Sequence, residues 1–147
     1  MAEHATLSAS ESHRWSNCPG SVRKCAEIPD SRSAAASLGT GAHALAEKFA
    51  MAKKWTSASM LGKEHAYDDG GEEKTLVVNQ EMIDGVDVLL ALVRDTLKSH
   101  PGASLRVEQQ VSLEFVRSGM FGTADVVIAD VRILHVMDYK HGFTPVW

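Results

Sequence analysis

Cysteine is nearly absent from this chain. Cys18 and Cys25 are the only two in 147 residues, too few for a disulfide framework and too few for a four-thiolate iron–sulfur site, so no such cluster is expected. Seven residues apart on a mostly helical segment, they would stand roughly 10 Å from each other at 1.5 Å rise per residue, too far to be bridged. Long apolar runs are missing too. No stretch approaches the roughly 18 residues of a membrane span, and the N-terminus lacks the apolar core of a secretory signal. Together these absences predict a cytoplasmic protein with no membrane partner. A surplus of positive charge is also lacking: 15 basic against 19 acidic residues give a net charge of −4. No global basic field announces nucleic acid, and the pairs His13-Arg14, Arg23-Lys24 and Lys53-Lys54 read as solvated helix faces.

What remains is ordinary for one domain spanning 1–147, with 44% hydrophobic residues to build a core. Residues 1–7 are expected to fray. Ser8 or Ser10 can cap a short helix carrying Trp15, and Pro19 opens another turn. Ile28-Pro29-Asp30-Ser31 is a break. From Ser33 to about Lys54, Leu38, Ala42, Leu45, Ala46 and Phe49 recur at helical spacing. Gly39 and Gly41 near its start imply a close backbone approach or a late start at Thr40. Residues 56–74 are polar and glycine-rich and read as a flexible insert, whose acidic run from Asp68 to Glu73 is expected to be solvated surface. A second helix is predicted from about Thr75 to Ser99, ended by His100-Pro101-Gly102.

The period then changes to two. Leu105 to Leu113 alternates apolar and polar residues, Phe121 to Ala129 forms a second strand and Ile133 to Lys140 a third. The expected fold class is α/β: N-terminal helices packed on a three-stranded antiparallel meander. The last two strands each carry a carboxylate in an apolar setting, Asp125 and Asp138, and Lys140 follows the second by two residues. Buried strands rarely hold unpaired acids, so a divalent cation is their expected partner. Folding the hairpin about Asp130-Val131 sets Asp125 opposite Val136 and Thr123 opposite Asp138. Asp125 and Asp138 then become same-face neighbours roughly 7–8 Å apart at the backbone. An even-length first hairpin loop brings Glu108 and Gln110 to that face, whereas a one-residue slip in either hairpin destroys the constellation. Upstream, His43 and Glu47 share a helix face. Taken alone, the pair reads as part of a packing helix. His4, His13, His65, His100, His135 and His141 show no ligand spacing.

Gly39…His43…Glu47, Gly122-Thr123-Ala124-Asp125 and Asp138-Tyr139-Lys140, preceded by the segment Ser12 to Ser21, resemble the RecB-like branch of the PD-(D/E)XK nuclease superfamily, in a largely uncharacterised phage and bacterial family. The resemblance spans most of the chain outside roughly 55–100. It implies a restriction-endonuclease-like core, here partial, because the last helix and strand that would follow Lys140 are lacking. It implies Mg²⁺ or Mn²⁺ held by His43, Asp125, Asp138 and the Tyr139 backbone carbonyl, with Lys140 as a catalytic residue and Glu108 as an auxiliary acid. Glu47 would be a supporting residue. A histidine ligand tilts the preference toward Mn²⁺. The implied activity is a metal-dependent deoxyribonuclease, of exonuclease or recombination type, in a bacterial host cell. Its expected partners are DNA and a second copy or another chain completing the fold. The alternative is a catalytically inactive nuclease-fold module that binds nucleic acid or a protein.

Overall fold

In the computed structural model, which describes Leu7, residues 12–27 and residues 33–142, the chain is a mixed α/β protein with two antiparallel sheets. Two short helices come first, α1 (Ser12–Asn17) and α2 (Gly20–Ala26). The expected caps at Ser8 and Ser10 and the break at 28–31 lie outside the described residues, whereas Pro19 does precede α2. Cys18 and Cys25 are exposed free thiols. Helix α3 (Ala34–Met51) opens on Ser33, whose hydroxyl accepts the Ala36 N–H, and so does not wait for Thr40.

Residues 56–74 are not a plain loop. They hold a 3-10 turn at Ala58–Met60 and most of a hairpin of β1 (Glu64–Asp68) and β2 (Glu73–Val77). Alternation carries it: His65 and Tyr67 face inward while Glu64, Ala66 and Asp68 face out. The acidic run is divided in the same way. Asp69 is buried, accepting from Ser37 Oγ at 2.7 Å and Lys74 Nζ at 2.6 Å, which fastens the hairpin to α3. The second predicted helix starts later than its apolar spacing suggested, because 73–77 belongs to β2. Helix α4 (Gln80–Ser99) begins at Asn79, whose side chain accepts the Met82 N–H.

The two glycines of α3 differ. A Cβ on Gly41 would lie 2.2 Å from Leu76 Cδ2 and 3.2 Å from the Tyr67 ring, whereas one on Gly39 meets nothing within 4 Å. Gly41 is therefore the close approach that lets the hairpin pack on the helix. Gly39→Ala is expected to raise stability by roughly 0.5–1 kcal/mol through helix propensity. Gly41→Ala should fall below it by about 1–3 kcal/mol through overpacking. Chemical denaturation of the two variants measures the difference, and equal stabilities would refute this account of Gly41.

Strands β3 (Ser104–Ser112), β4 (Phe121–Ala129) and β5 (Leu134–Met137) form the predicted meander in the order β3-β4-β5. The last strand is shorter than expected, and its register is two residues away from the symmetric fold about Asp130-Val131. Val127 faces Val136 and Val126 faces Met137. The cause is a four-residue turn in which Asp130 N–H donates to Ile133 O while Asp130 Oδ1 accepts the Arg132 and Ile133 N–H groups. A two-residue shift preserves parity, so the faces stay as predicted. The core lies between α3, α4 and β4: Leu45, Met82, Val86, Leu90, Val93, Val126 and Ile128 are all 1% exposed or less. Among the described residues, no helix is long and apolar enough to cross a membrane.

Candidate metal centre

The site forms where the sheet ladder fails. Strands β3 and β4 pair continuously from Ser104–Ala129 to Ser112–Phe121 except at one step, Glu108 opposite Asp125. Glu108 has φ 49°, a left-handed conformation that costs about 1–2 kcal/mol for a non-glycine residue. The pairing sum is the same on either side of the gap, so no residue is inserted and only the local pleat is broken. Both acids at this step reach His43, which α3 presents one turn before Glu47. One ligand atom each from His43, Glu108 and Asp125 lie within 4.8 Å of one another.

Asp125 is held from two sides. Its Oδ2 stands 3.4 Å from His43 Nδ1 and accepts the Tyr139 N–H at 2.5 Å. That amide contact continues the β4–β5 alignment one step beyond the last backbone pair, with an aspartate oxygen replacing a carbonyl. Tyr139 is buried, its ring 5.1 Å from that of His43 and its hydroxyl 3.1 Å from His141 Nδ1. Gly85 on α4 gives it room, since a Cβ there would lie 2.7 Å from the Tyr139 hydroxyl.

These contacts set the protonation of the cluster. The hydrogen bond to Asp125 raises the His43 pKa above 6.5 against the opposing effect of burial. Burial pushes the Asp125 carboxyl up, but the His43 and Tyr139 bonds outweigh it, and the net value lies below 3.8. Glu108 is raised, first by burial and then by the negative charges of Asp125 and Glu47. Burial and Glu81 push the Tyr139 phenol up to about 12. One basic nitrogen and two acids, one disfavoured by its acidic neighbours, form a donor set that a cation would neutralise.

The cluster opens into a cleft of about 700 Å³. Its floor is the face of α3 bearing Ala36, Gly39, Thr40 and Ala44, small residues that leave space above the helix. Glu47, Asp68, Lys140 and His141 complete the lining.

Not every expected residue gathers here. His43, Asp125 and Glu108 meet, and Lys140 lines the same cleft. Asp138 is outside both the trio and the lining. It grips Lys140 instead, with Nζ 2.9 Å from Oδ1 and 2.7 Å from Oδ2, and its side chain is 59% exposed. Tyr139, expected as a ligand through its carbonyl, donates its N–H to Asp125. Glu108, expected only as an auxiliary acid, stands in the position assigned to Asp138, while Gln110 makes no part of the trio. Sequence reasoning missed Asp68 and His141. Asp68 follows from the hairpin's alternation, whereas nothing in the spacing signals His141.

The donor set suits a divalent cation. Metal–ligand bonds of roughly 2.0–2.6 Å bring one nitrogen and two oxygens into the mutual separations found here, and the 3.4 Å imidazole–carboxylate contact is one that a shared ion would replace. The model of the family described as "Protein of unknown function (DUF2800)" matches residues 4–146. No solved structure matches the chain.

Proposed function

We propose that this chain, which belongs to the DUF2800 family, is a nuclease-like phosphodiesterase that uses Mg²⁺ or Mn²⁺ to hydrolyse DNA, on a restriction-endonuclease-like core. The observation that carries the reading is the convergence of His43, Glu108 and Asp125 within 4.8 Å in a cleft that Lys140 also lines. His43, Glu108 and Asp125 would hold the ion. A bound divalent ion lowers the pKa of water and polarises a phosphoryl oxygen.

The chain's own groups supply the rest. Tyr139 fixes Asp125 through its amide, so that carboxylate meets a substrate already oriented. Asp138 holds Lys140 at the cleft edge, where the ammonium group can balance charge on a phosphate oxygen. The acidic walls, Glu47 and Asp68 among them, repel a polyanion unless cations are present, which makes activity strictly cation-dependent.

The test is cleavage of end-labelled linear DNA with Mn²⁺, with Mg²⁺ and with a chelator. Lys140→Ala should slow cleavage by about 10²-fold while Mn²⁺ binding by calorimetry persists. Cleavage that survives both Lys140→Ala and Asp138→Ala, or that proceeds in chelator, refutes the reading. One observation favours a second reading, a module that binds without turnover: Asp138 occupies Lys140 rather than joining the ligands. That reading expects Mn²⁺ binding with no cleavage of any linear DNA.

A further inference from the structure

A second histidine-bearing site lies away from the cleft, where the end of α4 meets the edge strand β5. His100 is the C-terminal cap of α4. His135 pairs across the sheet with Ile128, which is fully buried, and cross-strand partners share a face, so His135 stands on the helix side of the sheet. The two imidazole rings are 5.6 Å apart between centres and tilted by 46°. Neither ring makes a hydrogen bond to any described residue.

The separation is informative. With metal–nitrogen bonds of about 2.0–2.1 Å, a ring centre lies about 3.2 Å from the ion. With a nitrogen of each ring turned to a common ion, two rings at 5.6 Å subtend roughly 120° there, close to the trigonal angle and within about ten degrees of tetrahedral. The setting also favours a cation. The carbonyl end of a 20-residue helix carries partial negative charge. Asp130 is nearby: its carboxyl is held below 3.8 first by the Arg132 N–H, and His100 adds to the effect. Only its Oδ1 is occupied by those turn N–H groups, which leaves Oδ2 free of hydrogen bonds among the described residues.

We propose that His100 and His135 form a two-imidazole site for a late first-row divalent cation, Zn²⁺ or Ni²⁺. Imidazole pairs suit these ions better than Mg²⁺. The ion would tie the end of α4 to β5, a structural clip distinct from the cleft and independent of its chemistry.

The full chain carrying His43→Ala, which disables the cleft site, and the wild-type chain are each titrated with Ni²⁺ while histidine ring signals are followed by NMR. His100 and His135 should broaden together, and the melting temperature should rise with Ni²⁺ or Zn²⁺. His135→Ala, and separately His100→Gln, should weaken that binding at least tenfold and cancel the thermal shift. Broadening that spares either ring, or an affinity that neither substitution changes, overturns the proposal. Because the His43→Ala background removes the cleft ligand, failure here leaves the cleft reading untouched, and the reverse also holds.

Discussion

Asp125→Asn should eliminate Mn²⁺ binding at the cleft and reduce cation-dependent DNA cleavage by about 10³-fold or more. An amide oxygen carries no charge to offer the ion, and the amide cannot balance a protonated His43. The same substitution has a signature in the metal-free protein. The raised His43 pKa means that its contribution to stability is complete below 6.5 and is lost as pH rises through the higher folded value. The lowered Asp125 pKa means that its contribution is present above 3.8 and is lost as pH falls through the lower folded value. The pair therefore stabilises most between those limits. Wild-type protein should lose more stability than Asp125→Asn on going from pH 5 to pH 8 in chelator, measured by urea unfolding. His65, buried and lowered by desolvation, titrates in the opposite sense in both proteins and cancels. Metal affinity runs the other way. The His43 proton must leave before the nitrogen can ligate, so affinity climbs about tenfold per pH unit and levels above the His43 pKa. Calorimetry across pH 6–8 that shows no such slope would remove His43 from the ligand set.

The largest loss of stability is expected from Asp87→Ala. Asp87 lies on α4 and accepts three bonds from the loop after α3: Ser57 N–H at 2.6 Å, Ser57 Oγ at 2.7 Å and Thr56 Oγ1 at 2.7 Å. Ser57 is fully buried, so alanine would leave its amide and hydroxyl dry and unpaired. Such groups cost roughly 1–3 kcal/mol each, and about 3 kcal/mol in total is expected, lowering the melting temperature by roughly 10 °C. Burial pushes the Asp87 carboxyl up, but the three bonds prevail and its net pKa lies below 3.8. Its contribution is thus intact above 3.8 and disappears as pH falls through the lower folded value. A thermal melt of Asp87→Ala within 2–3 °C of wild type would show that water or another group satisfies Ser57.

Much of this architecture is legible in the residues. The meander follows from alternation in 104–112 and 121–129, and the two long helices follow from apolar spacing, because burial on one face is what both patterns encode. Local chemistry hid the rest. The β1–β2 hairpin has only His65, Tyr67 and Leu76 as inward anchors, too few to stand out from a polar stretch. The turn length at Asp130 depends on side-chain capping that spacing does not reveal, and that moved the register by two. For the site, the motif residues point to His43, Asp125 and Lys140. Glu108 also follows from strand parity and the even-length loop before β4, whereas the pairing of Asp138 with Lys140 instead of the trio lies past the end of β5, where alternation no longer sets the faces. His100 and His135 escaped because 34 residues, strands β3 and β4 among them, lie between them.

The centre is assembled from distant parts of the chain. Its imidazole comes from α3, and its acids come from strands more than 60 residues later. During synthesis from the N-terminus, α3, the hairpin and α4 leave the ribosome before Asp125 does, and they can pack together first. On the metal-binding reading proposed above, cation capture has to wait for β4. A nascent chain arrested before β4 would carry the helical layer yet is expected to bind no manganese, so loading would report that the sheet has joined that layer.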